Sequence, residues 1–439
     1  MAPTSDPKTP FHIAVVGGGI GGLCLTIGLL HNHVSCTIYE AASSFTEIGA
    51  GVSFGPNAVR AMNLLDPSIK KGYDKIGTHN LDPKKRLSWF DFRLGMQPEK
   101  WVKEGKGDVG KDGQWIANVE AGEVGQCSVH RAHFLDVLVG IVPEGVAEFG
   151  KRVEDVTELE NGKMQMKFAD GTTAEADAVI GCDGIKSRTR QLLIGENHPA
   201  AHAVFTGKYA YRGLIPMEKA VEALGNELAE NSQMYMGHHG HVLTFPIQKG
   251  ETMNVVAFRT KDGDWDKKEW VVSMKKEDMF KDFDGWGESV MKILPLMEKP
   301  DVWALFDHPP APTYYKKRLA VLGDAAHAST PHQGAGAGQA VEDAYILSNL
   351  LGKVDNADEI EKVFKAYDAI RRPRSQKVVT TSRDAVRIYE FEDEELGCDL
   401  VNIKKRLEER YNWIWNADMN AQLQEALNLL DKAQESANL

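Results

Sequence analysis

The sequence predicts an α/β protein with a Rossmann-like nucleotide-binding domain, a second domain built on an antiparallel sheet, and C-terminal helices. Three observations support this prediction. A glycine-rich turn joins an apolar strand to an apolar helix close to the N-terminus. Longer and more polar strand patterns run from about residue 203 to residue 307. Helical periodicity dominates from about Glu359 to the end of the chain.

The glycine-rich turn has the spacing of a dinucleotide-binding fingerprint. Its glycines are Gly17, Gly19 and Gly22, in the stretch HIAVVGGGIGGL. The first glycine allows the tight turn, the second lets the backbone approach a pyrophosphate, and the third lets the helix pack on the strand. Glu40 ends the following strand, where a carboxylate can accept hydrogen bonds from both ribose hydroxyls. The unit predicts a bound dinucleotide. The stretch 13–30 has no charged residue and could be taken for a membrane span, but its glycines favour the nucleotide-binding interpretation.

Composition narrows the class of protein and its partners. The chain has 439 residues, which suits two or three structural units, and 42% hydrophobic and 26% charged residues are ordinary for a globular protein. The net charge of −12 argues against a nucleic-acid partner, because phosphates would be repelled. An anionic substrate therefore needs a local basic group.

The cysteines and the N-terminus indicate the compartment. The five cysteines are scattered and odd in number, without CxxC or Cys/His metal spacing. They predict reduced, mostly buried thiols in a cytoplasmic protein, and no bound metal. The stretch MAPTSDPKTP lacks a basic region followed by an apolar core, so we expect a short disordered arm over residues 1–10 and no secretory signal.

The nucleotide-binding domain is predicted to be discontinuous. The first βαβ unit, a helix near His130, a buried strand before Asp183 and the stretch LAVLGDAAHAS share one α/β pattern. Two hairpins are expected in between, with turns at residues 161–162 and 170–171. The predicted boundaries are 1–10 for the arm, 11–85, 130–202 and 308–374 for the nucleotide-binding domain, 86–129 and 203–307 for the sheet domain, and 375–439 for the C-terminal helical segment.

Two Gly/Asp pairs follow predicted strands, at Asp183-Gly184 and Gly323-Asp324. An aspartate at a strand end can accept hydrogen bonds from the hydroxyls of a sugar-like chain. The loop GAGAG, residues 334–338, follows the second pair and opens a helix. Its side chains are too small to keep the backbone away from a flat ring, and its amides can stabilise negative charge on that ring.

These motifs together resemble the group A FAD-dependent aromatic hydroxylases, of which para-hydroxybenzoate hydroxylase is typical. The string GDAAHASTPHQGAGAGQAVEDA, with YRGLIPME before it and WIWNAD after it, is most similar to salicylate hydroxylases and their fungal relatives. The similarity extends from about Phe11 to Gln422. It implies a fold of the para-hydroxybenzoate hydroxylase type, whose nucleotide-binding domain holds FAD tightly and without a covalent bond.

The resemblance also assigns individual cofactor contacts. In the family the last aspartate hydrogen-bonds the ribityl chain of the flavin, and this role falls on Asp324. The middle pair lies near the flavin and the passing nicotinamide, and this role falls on Asp183. The further FAD contacts implied in the same way are Gly51, Arg131, Gly323, Gly336 and Ala337.

The implied reaction follows from the same resemblance. The chain has a single dinucleotide fingerprint, so NADH or NADPH is expected to bind transiently over the flavin, and the salicylate hydroxylases suggest NADH. The family hydroxylates phenolic acids with O2 through a C4a-hydroperoxyflavin. We expect decarboxylative hydroxylation of salicylate to catechol. The partners are then a small aromatic substrate and O2, without nucleic acid or membrane, and a homodimer is left open.

Three residues are candidates for the substrate chemistry. Arg212, in YAYRGLIP, has a planar fork that matches a carboxylate, the alternative being an edge-strand arginine paired with a surface acid. His332, beside the glycine loop, is the candidate for proton handling, the alternative being a loop histidine that bonds backbone. Of the cluster His238, His239 and His241, we expect His241 to face the pocket.

Other reactions stay open at this point. A fungal polyketide or phenol hydroxylase would act without decarboxylation. Fungal relatives that dearomatise phenols use the arginine of this motif to hold a phenolate, but they have a tyrosine where Phe245 stands, which counts against that reaction. A flavin oxidase would release peroxide on substrate alone, without NADH. A flavin-bearing binding protein would show no aromatic-stimulated NADH consumption.

Overall fold

The computed structural model describes residues 9–46, 51–96, 110–273, 275–298 and 301–435. Of the predicted N-terminal arm, residues 1–8 lie outside these ranges. The strands are β1 (His12–Val16), β2 (Ser35–Glu40), β3 (Gly51–Ser53), β4 (Thr78–His79), β5 (Ser88–Leu94), β6 (Trp115–Glu120), β7 (Cys127–His130), β8 (Ala147–Phe149), β9 (Val153–Glu158), β10 (Met164–Phe168), β11 (Thr173–Ala176), β12 (Ala178–Gly181), β13 (Val204–Pro216), β14 (Gln233–Gly237), β15 (Gly240–Ile247), β16 (Thr252–Thr260), β17 (Val271–Ser273), β18 (Asp301–Asp307), β19 (Tyr315–Lys316) and β20 (Leu319–Val321). The helices are α1 (Ile20–His31), α2 (Pro56–Leu65), α3 (Pro67–Ile76), α4 (Arg131–Val139), α5 (Arg188–Ile194), α6 (Met217–Leu224), α7 (Asn226–Ala229), α8 (Lys276–Asp282), α9 (Glu288–Ile293), α10 (Asp324–His327), α11 (Gly336–Leu351), α12 (Ile360–Tyr389), α13 (Leu400–Glu409), α14 (Asn412–Trp415) and α15 (Met419–Glu435).

The first strand lies inside a six-stranded sheet of order β19-β20-β12-β1-β2-β8. Neighbouring strands pair in parallel, except for the edge pair β19 and β20. The glycine turn connects β1 to α1, and α1 packs against α11. The Rossmann-like unit is confirmed, because the uncharged stretch 13–30 is a buried strand followed by a buried helix. Within the described ranges, no helix has the length and apolar character needed to cross a lipid bilayer.

The two expected hairpins form a small antiparallel meander of β9, β10 and β11. Gly162 and Gly171 lie in the connecting turns with φ of +79° and +84°, a conformation that glycine adopts at low cost. A second small sheet has the order β3-β7-β4 and pairs Gly51 with His130. This pairing brings Gly51 next to the start of α4, where Arg131 lies.

The second large sheet has eight strands in the order β17-β18-β13-β16-β15-β14-β5-β6. Its neighbours pair antiparallel, as predicted, with one exception: β14 and β5 are parallel. The exception arises because β5 and β6 come from an earlier chain segment and join the sheet as a hairpin beside β14. Strand β13 carries Arg212 and strand β15 carries His241, so the sheet positions two of the predicted site residues.

The C-terminal region is helical, as predicted, and it reaches back to the eight-stranded sheet. Helix α12 has 30 residues and ends at Tyr389, whose hydroxyl lies 2.8 Å from the hydroxyl of Tyr411. The Tyr411 ring stacks on the buried ring of Trp415 at a centroid distance of 4.4 Å. Helix α15 packs on α11 and α12. These helices therefore join the nucleotide-binding sheet to the second sheet.

A buried ionic network centred on Arg371 links α11 to α12. The Arg371 guanidinium lies 2.8 Å from the carboxylate of Glu342 and 2.8 Å from that of Asp343, and all three side chains are fully buried. Asp343 also lies 2.5 Å from His327 Nε2 and accepts a hydrogen bond from the Gly323 backbone N–H. Burial alone would raise the pKa of Asp343, but its contacts with His327 and Arg371 lower it below its ordinary value. The network thus fixes the turn after β20 to two helices.

Arg371→Met should destabilise the protein. The substitution replaces the guanidinium by a shorter, uncharged side chain. Glu342 then keeps only Arg374, and Asp343 keeps only His327, as a charged or ionisable partner, so the free energy of unfolding should fall by about 3 kcal/mol. Chemical denaturation of the holoprotein, followed by tryptophan fluorescence, measures this loss. The matched control is Arg372→Met. The Arg372 side chain is 30% exposed and pairs with Asp368 at i,i+4, so the expected cost is about 1 kcal/mol. Equal losses of unfolding free energy in the two variants would contradict the prediction that the buried network stabilises the fold more than the Arg372–Asp368 pair does.

Candidate active site

The glycine turn has the geometry that a phosphate-binding loop needs. Gly17 has φ of +104°, and a Cβ there would lie 2.6 Å from the Cys182 carbonyl oxygen. A Cβ on Gly22 would lie 2.0 Å from the Gly17 carbonyl oxygen, so strand and helix could not approach as they do. A Cβ on Gly19 would meet no atom within 4 Å. The sequence motif therefore has two glycines that packing requires and one that faces open space beside a cavity of about 690 Å³.

Glu40 lies in the wall of the same cavity. Its carboxylate accepts hydrogen bonds from the backbone N–H groups of Gly18, at 2.6 Å, and Ala42, at 2.7 Å. These bonds hold the side chain at the end of β2, and a carboxylate has further lone pairs with which to accept ribose hydroxyls. Cationic side chains also line this cavity, namely those of Lys151, Arg152, Lys186 and Arg188. Anionic phosphates would be favoured there.

Asp183 has a structural role that the sequence did not indicate. Its carboxylate lies 2.6 Å from Ser187 Oγ, 2.6 Å from Thr189 Oγ1 and 3.0 Å from the Thr189 backbone nitrogen. These contacts hold the amino end of α5. The residue also lines the cavity of about 690 Å³, with its carboxylate engaged by the protein.

A second cavity of about 320 Å³ adjoins the first and collects most of the predicted cofactor residues. Gly323 has φ of +62°, which permits the sharp turn from β20 into α10, and Asp324 begins that helix with its side chain exposed. The amino end of α11 forms another part of the wall. The predicted residues that line this cavity are Gly19, Gly51, Arg131, Gly323, Asp324, Gly336 and Ala337.

Shared walls connect three cavities in a row. Gly19 and Gly184 border both the first cavity and the second. Gly51, Arg212 and Pro331 border both the second cavity and a third of about 130 Å³. The first has the glycine turn and the ribose acid, and the second has the exposed Asp324 and a helix amino end. The residues present therefore fit an extended dinucleotide whose flat ring would end beside the third cavity.

Arg212 lies at the junction of the second and third cavities. Its guanidinium carbon is 4.5 Å from the centre of the Trp303 ring. Its Nε atom is buried and has no hydrogen-bond partner among the described residues. Burial and the nearby charge of Arg131 lower the pKa of Arg212 to about 10. An arginine that is stacked on an aromatic ring, close to a second cation, is a strong site for an anion.

The third cavity is small and mostly apolar. An engineered apolar cavity of about 150 Å³ holds one benzene molecule, so a volume of about 130 Å³ suits a single aromatic ring. Its wall has one charged group, Arg212, and one imidazole, His332. The apolar side chains of the wall are Val52, Trp89, Phe90, Met234, Leu243, Phe245, Val256 and Phe258, and Tyr411 from the C-terminal helices completes it.

His332 lies in the wall of the third cavity, in the short turn Pro331–Gln333. The side chain is buried, and neither ring nitrogen has a hydrogen-bond partner among the described residues. Burial, assisted by His241, lowers the pKa of His332 well below its ordinary value. The ring is therefore neutral at physiological pH, and a neutral imidazole can accept a proton from a phenol.

His241 lies behind His332 and does not reach the cavity wall. Its ring centre is 5.2 Å from that of His332, and it stacks on Phe258 at 4.2 Å. Its Nδ1 atom lies 2.9 Å from Glu390 Oε1, and both side chains are fully buried. His239 has φ of +57° in the turn between β14 and β15, so it does not share a strand face with His241, and its side chain is half exposed.

The acids behind the histidines could not be predicted from the sequence. Glu390 and Glu392 stand in the run YEFEDEE, which has the composition of a solvated charged loop. Glu390 is nevertheless fully buried and paired with Lys208 from β13. The sequence did not mark the apolar cavity wall either. Its side chains come from β3 of a small sheet and from four strands of the eight-stranded sheet, and they look like ordinary core residues.

Comparison with known proteins agrees with this geometry. The family model described as an FAD binding domain matches residues 146–382, slightly more than half of the chain. The 6-methylsalicylate 1-monooxygenase of Aspergillus terreus is 46% identical over 421 residues, covering 95% of this chain and 92% of that protein. A salicylate hydroxylase of Pseudomonas putida is 38% identical over 432 residues, covering 95% of each chain.

A solved structure supports the same relationship at the level of the fold. The structure titled as a salicylate hydroxylase substrate complex superposes with a TM-score of 0.85 at 39% sequence identity, covering 95% of this chain and 98% of that one. The matches extend over both sheets and the C-terminal helices. The chain belongs to the FAD-dependent aromatic monooxygenases of the salicylate hydroxylase type.

Proposed function

We propose that this enzyme converts salicylate, or a salicylate with a small ring substituent, into the corresponding catechol with loss of CO2. The observation that carries the proposal is the third cavity, a mostly apolar, ring-sized space whose wall holds the Arg212 guanidinium, with no acid paired to it among the described residues, and the His332 imidazole. A salicylate has a carboxylate for the first group and a phenolic proton for the second. The name of the Aspergillus terreus relative makes 6-methylsalicylate the second substrate to test.

The overall reaction balances with the expected co-substrates. One salicylate, one NADH, one O2 and two protons give one catechol, one CO2, one NAD⁺ and one water. Bound FAD supplies the redox chemistry, namely acceptance of hydride from the nicotinamide and activation of O2 for transfer to the ring. The protein binds and orients the substrate, excludes water and moves the phenolic proton.

We assign the cofactor contacts as follows. The turn of Gly17, Gly19 and Gly22 with the amino end of α1 holds the pyrophosphate, and Glu40 holds the ribose. Asp324 accepts the ribityl hydroxyls, and the amino end of α11 lies against the flavin ring. The remaining proposed contacts are Gly51, Arg131, Asp183, Gly323, Gly336 and Ala337.

Arg212 and His332 orient and activate the substrate. The guanidinium binds the carboxylate, which directs the carbon that carries it toward the second cavity. His332 accepts the phenolic proton, and the resulting phenolate makes the ring electron-rich at that carbon. When oxygen is transferred there, the bond to the carboxylate breaks and its electron pair returns to the ring. Phe245 stands where the dearomatising relatives have a tyrosine. It has no hydroxyl that could hold the substrate in a different orientation.

Further properties follow as part of the proposal. We propose NADH as the donor, and a cytoplasmic location. All five cysteines are free thiols, which fits a reducing compartment. A homodimer, and the absence of nucleic-acid or membrane partners, stay predictions from the sequence.

Asp324→Ala should weaken FAD binding. Loss of a charged acceptor for the ribityl hydroxyls should raise the dissociation constant roughly 10- to 100-fold. Flavin absorbance relative to protein absorbance after gel filtration measures retention. Asp355→Ala, at an exposed aspartate between α11 and α12, is the matched control. Full flavin content in the Asp324 variant would remove this residue from the site.

Arg212→Ala should raise the KM for salicylate while FAD stays bound. Losing a charged hydrogen-bonding partner in a desolvated pocket should cost about 2–5 kcal/mol. Arg212→Lys should recover part of the loss, because it keeps the charge but not the fork. The control is Arg259→Ala on the neighbouring strand, whose guanidinium lies over Phe283 and does not line the cavity. Unchanged salicylate affinity in the Arg212 variants would contradict the assignment.

Carboxyl-labelled salicylate tests the reaction itself. We expect labelled CO2 and catechol in step with NADH oxidation, and none when NADH or O2 is omitted. Benzoate, which lacks the phenolic proton, should give no catechol. A hydroxylated product that keeps the label would identify a phenol hydroxylase without decarboxylation. Peroxide without any hydroxylated product would show that salicylate is not the substrate.

A further inference from the structure

A groove on the surface is separated from the third cavity by one layer of aromatic side chains. The groove has a volume of about 1230 Å³ and lies between α2, the turn from β6 to β7, and α14 with the start of α15. Trp415 lines this groove. Its ring stacks on Tyr411 at a centroid distance of 4.4 Å and meets Trp89 at 5.6 Å, and both of these residues line the third cavity. Trp415 therefore lies between the groove and the cavity.

The other described walls of the third cavity are backed by buried protein or by the cofactor site. Its sheet wall carries a second set of buried side chains on the opposite face, including those of Tyr211, Val242 and Val255. Behind His332 lies the fully buried His241. The opening to the second cavity is where the flavin ring is proposed to end, so bound FAD would close it. A ligand that enters with FAD in place needs another passage, and the aromatic layer is the thinnest described wall.

Hydrogen bonds to backbone carbonyls hold α14 in place. Arg374 donates to the carbonyl oxygens of Trp413, at 3.1 Å, and Ile414, at 2.8 Å. Arg60 donates to the carbonyl oxygen of Trp415. The last carbonyls of a helix have no partner within the helix, and cationic side chains satisfy them well. Two arginines thus fix the position of the turn that carries Trp415.

The two arginines are held to different degrees. The Arg374 guanidinium also forms a two-point ion pair with the buried Glu342 of α11, at 2.8 and 2.9 Å. Arg60 is exposed, lines the groove, and pairs with no carboxylate among the described residues. Water can replace an exposed hydrogen bond at a small net cost. Arg60 can therefore release Trp415 while Arg374 keeps the turn folded.

The charged side chains that line the groove have both signs. Arg60 and Lys70 are cationic, and Glu120, Glu123 and Asp418 are anionic. Such a mixture binds neither an aromatic carboxylate nor a neutral catechol tightly. The groove therefore suits passage of these molecules better than their retention.

We propose that Trp415 is a gate through which the aromatic substrate enters the third cavity and the product leaves it, with Arg60 as the residue that keeps the gate closed. The inference rests on the proposed function for the assignment of this cavity to the substrate. Loss of the hydrogen bond from Arg60 lets α14 tilt, and the Trp415 ring then leaves Tyr411 and Trp89. A path opens from the groove to the cavity while FAD stays bound.

Arg60→Met is the decisive variant. Methionine keeps an apolar side chain at this position but cannot donate a hydrogen bond to the Trp415 carbonyl. A gate is crossed in both directions, so easier opening should raise the association and dissociation rate constants for salicylate together, roughly threefold to tenfold, and leave the dissociation constant within about twofold of wild type. The matched control is Arg318→Met, whose guanidinium donates to the Gly162 carbonyl at 2.9 Å, on the small meander.

Asn63→Trp tests the groove itself. Asn63 is exposed on α2 and lines the groove, so a larger side chain there obstructs the passage. Both rate constants should fall, again with an unchanged dissociation constant. The matched control is Asn428→Trp, at an exposed asparagine of α15 that does not line the groove. Both controls should match wild type.

The measurement is stopped-flow absorbance of the bound flavin when salicylate is mixed with the FAD-loaded enzyme without NADH. The dependence of the observed rate on salicylate concentration gives both rate constants, and an equilibrium titration gives the dissociation constant. Damage to the cavity would change the dissociation constant, whereas a gate changes only the rates.

The outcomes separate the gate from the proposed function. Wild-type rates in either variant overturn the gate, as does a changed dissociation constant without parallel changes in the two rate constants. Salicylate that does not bind to the wild-type enzyme also overturns it. Rates that respond to both variants, in an enzyme that releases no labelled CO2 from salicylate, support the gate and contradict the proposed function.

Discussion

The ion pairs of Arg371 are the constraint on which the site geometry depends. This arginine holds the carboxylates of Glu342 and Asp343 on α11, and Asp343 in turn holds His327 and the backbone of Gly323. A buried charge without a partner of opposite charge destabilises the fold, so these buried groups depend on one another. The turn that presents Asp324 and the amino end of α11 are thereby fixed relative to each other. The second cavity has walls on both of these elements, so the ion pairs fix the width of that cavity.

Arg212 contrasts with the fully buried Arg371, because its side chain is only partly buried. Arg371 has two carboxylates, whereas Arg212 has an aromatic ring beneath it, a second arginine nearby, and no acid paired with it among the described residues. Its own pKa is lowered to about 10 by this environment. The free energy spent in burying an unpaired cation is recovered when an anionic ligand binds. In a chain of net charge −12, Arg212 is the kind of local cation that the proposed anionic substrate needs.

The two buried histidines lie at different distances from the ring-sized cavity. His332 is next to the ring-sized cavity, in an apolar wall that excludes water. His241 is one ring further away and contacts the ionised Glu390. Under the proposed function, the phenolic proton passes to His332 without water entering the cavity. Water exclusion matters for a flavin monooxygenase, since side reactions in an open site would consume NADH without product.

The sequence by itself determined the nucleotide-binding unit and the order of the elements. Gly17, Gly22 and Gly323 could be interpreted from spacing because the backbone at those positions leaves no room or no allowed angle for another residue. The C-terminal helices and the hairpin turns could also be predicted, because their sequence signals are local. Only the tertiary structure decided which side chains meet: it set Tyr411 in the cavity wall, His241 behind His332, and Glu390 and Lys208 in a buried pair. Glu390 and Lys208 are 182 residues apart in the chain. Their charges looked like surface groups, because burial of an ion pair depends on long-range packing that has no local sequence period.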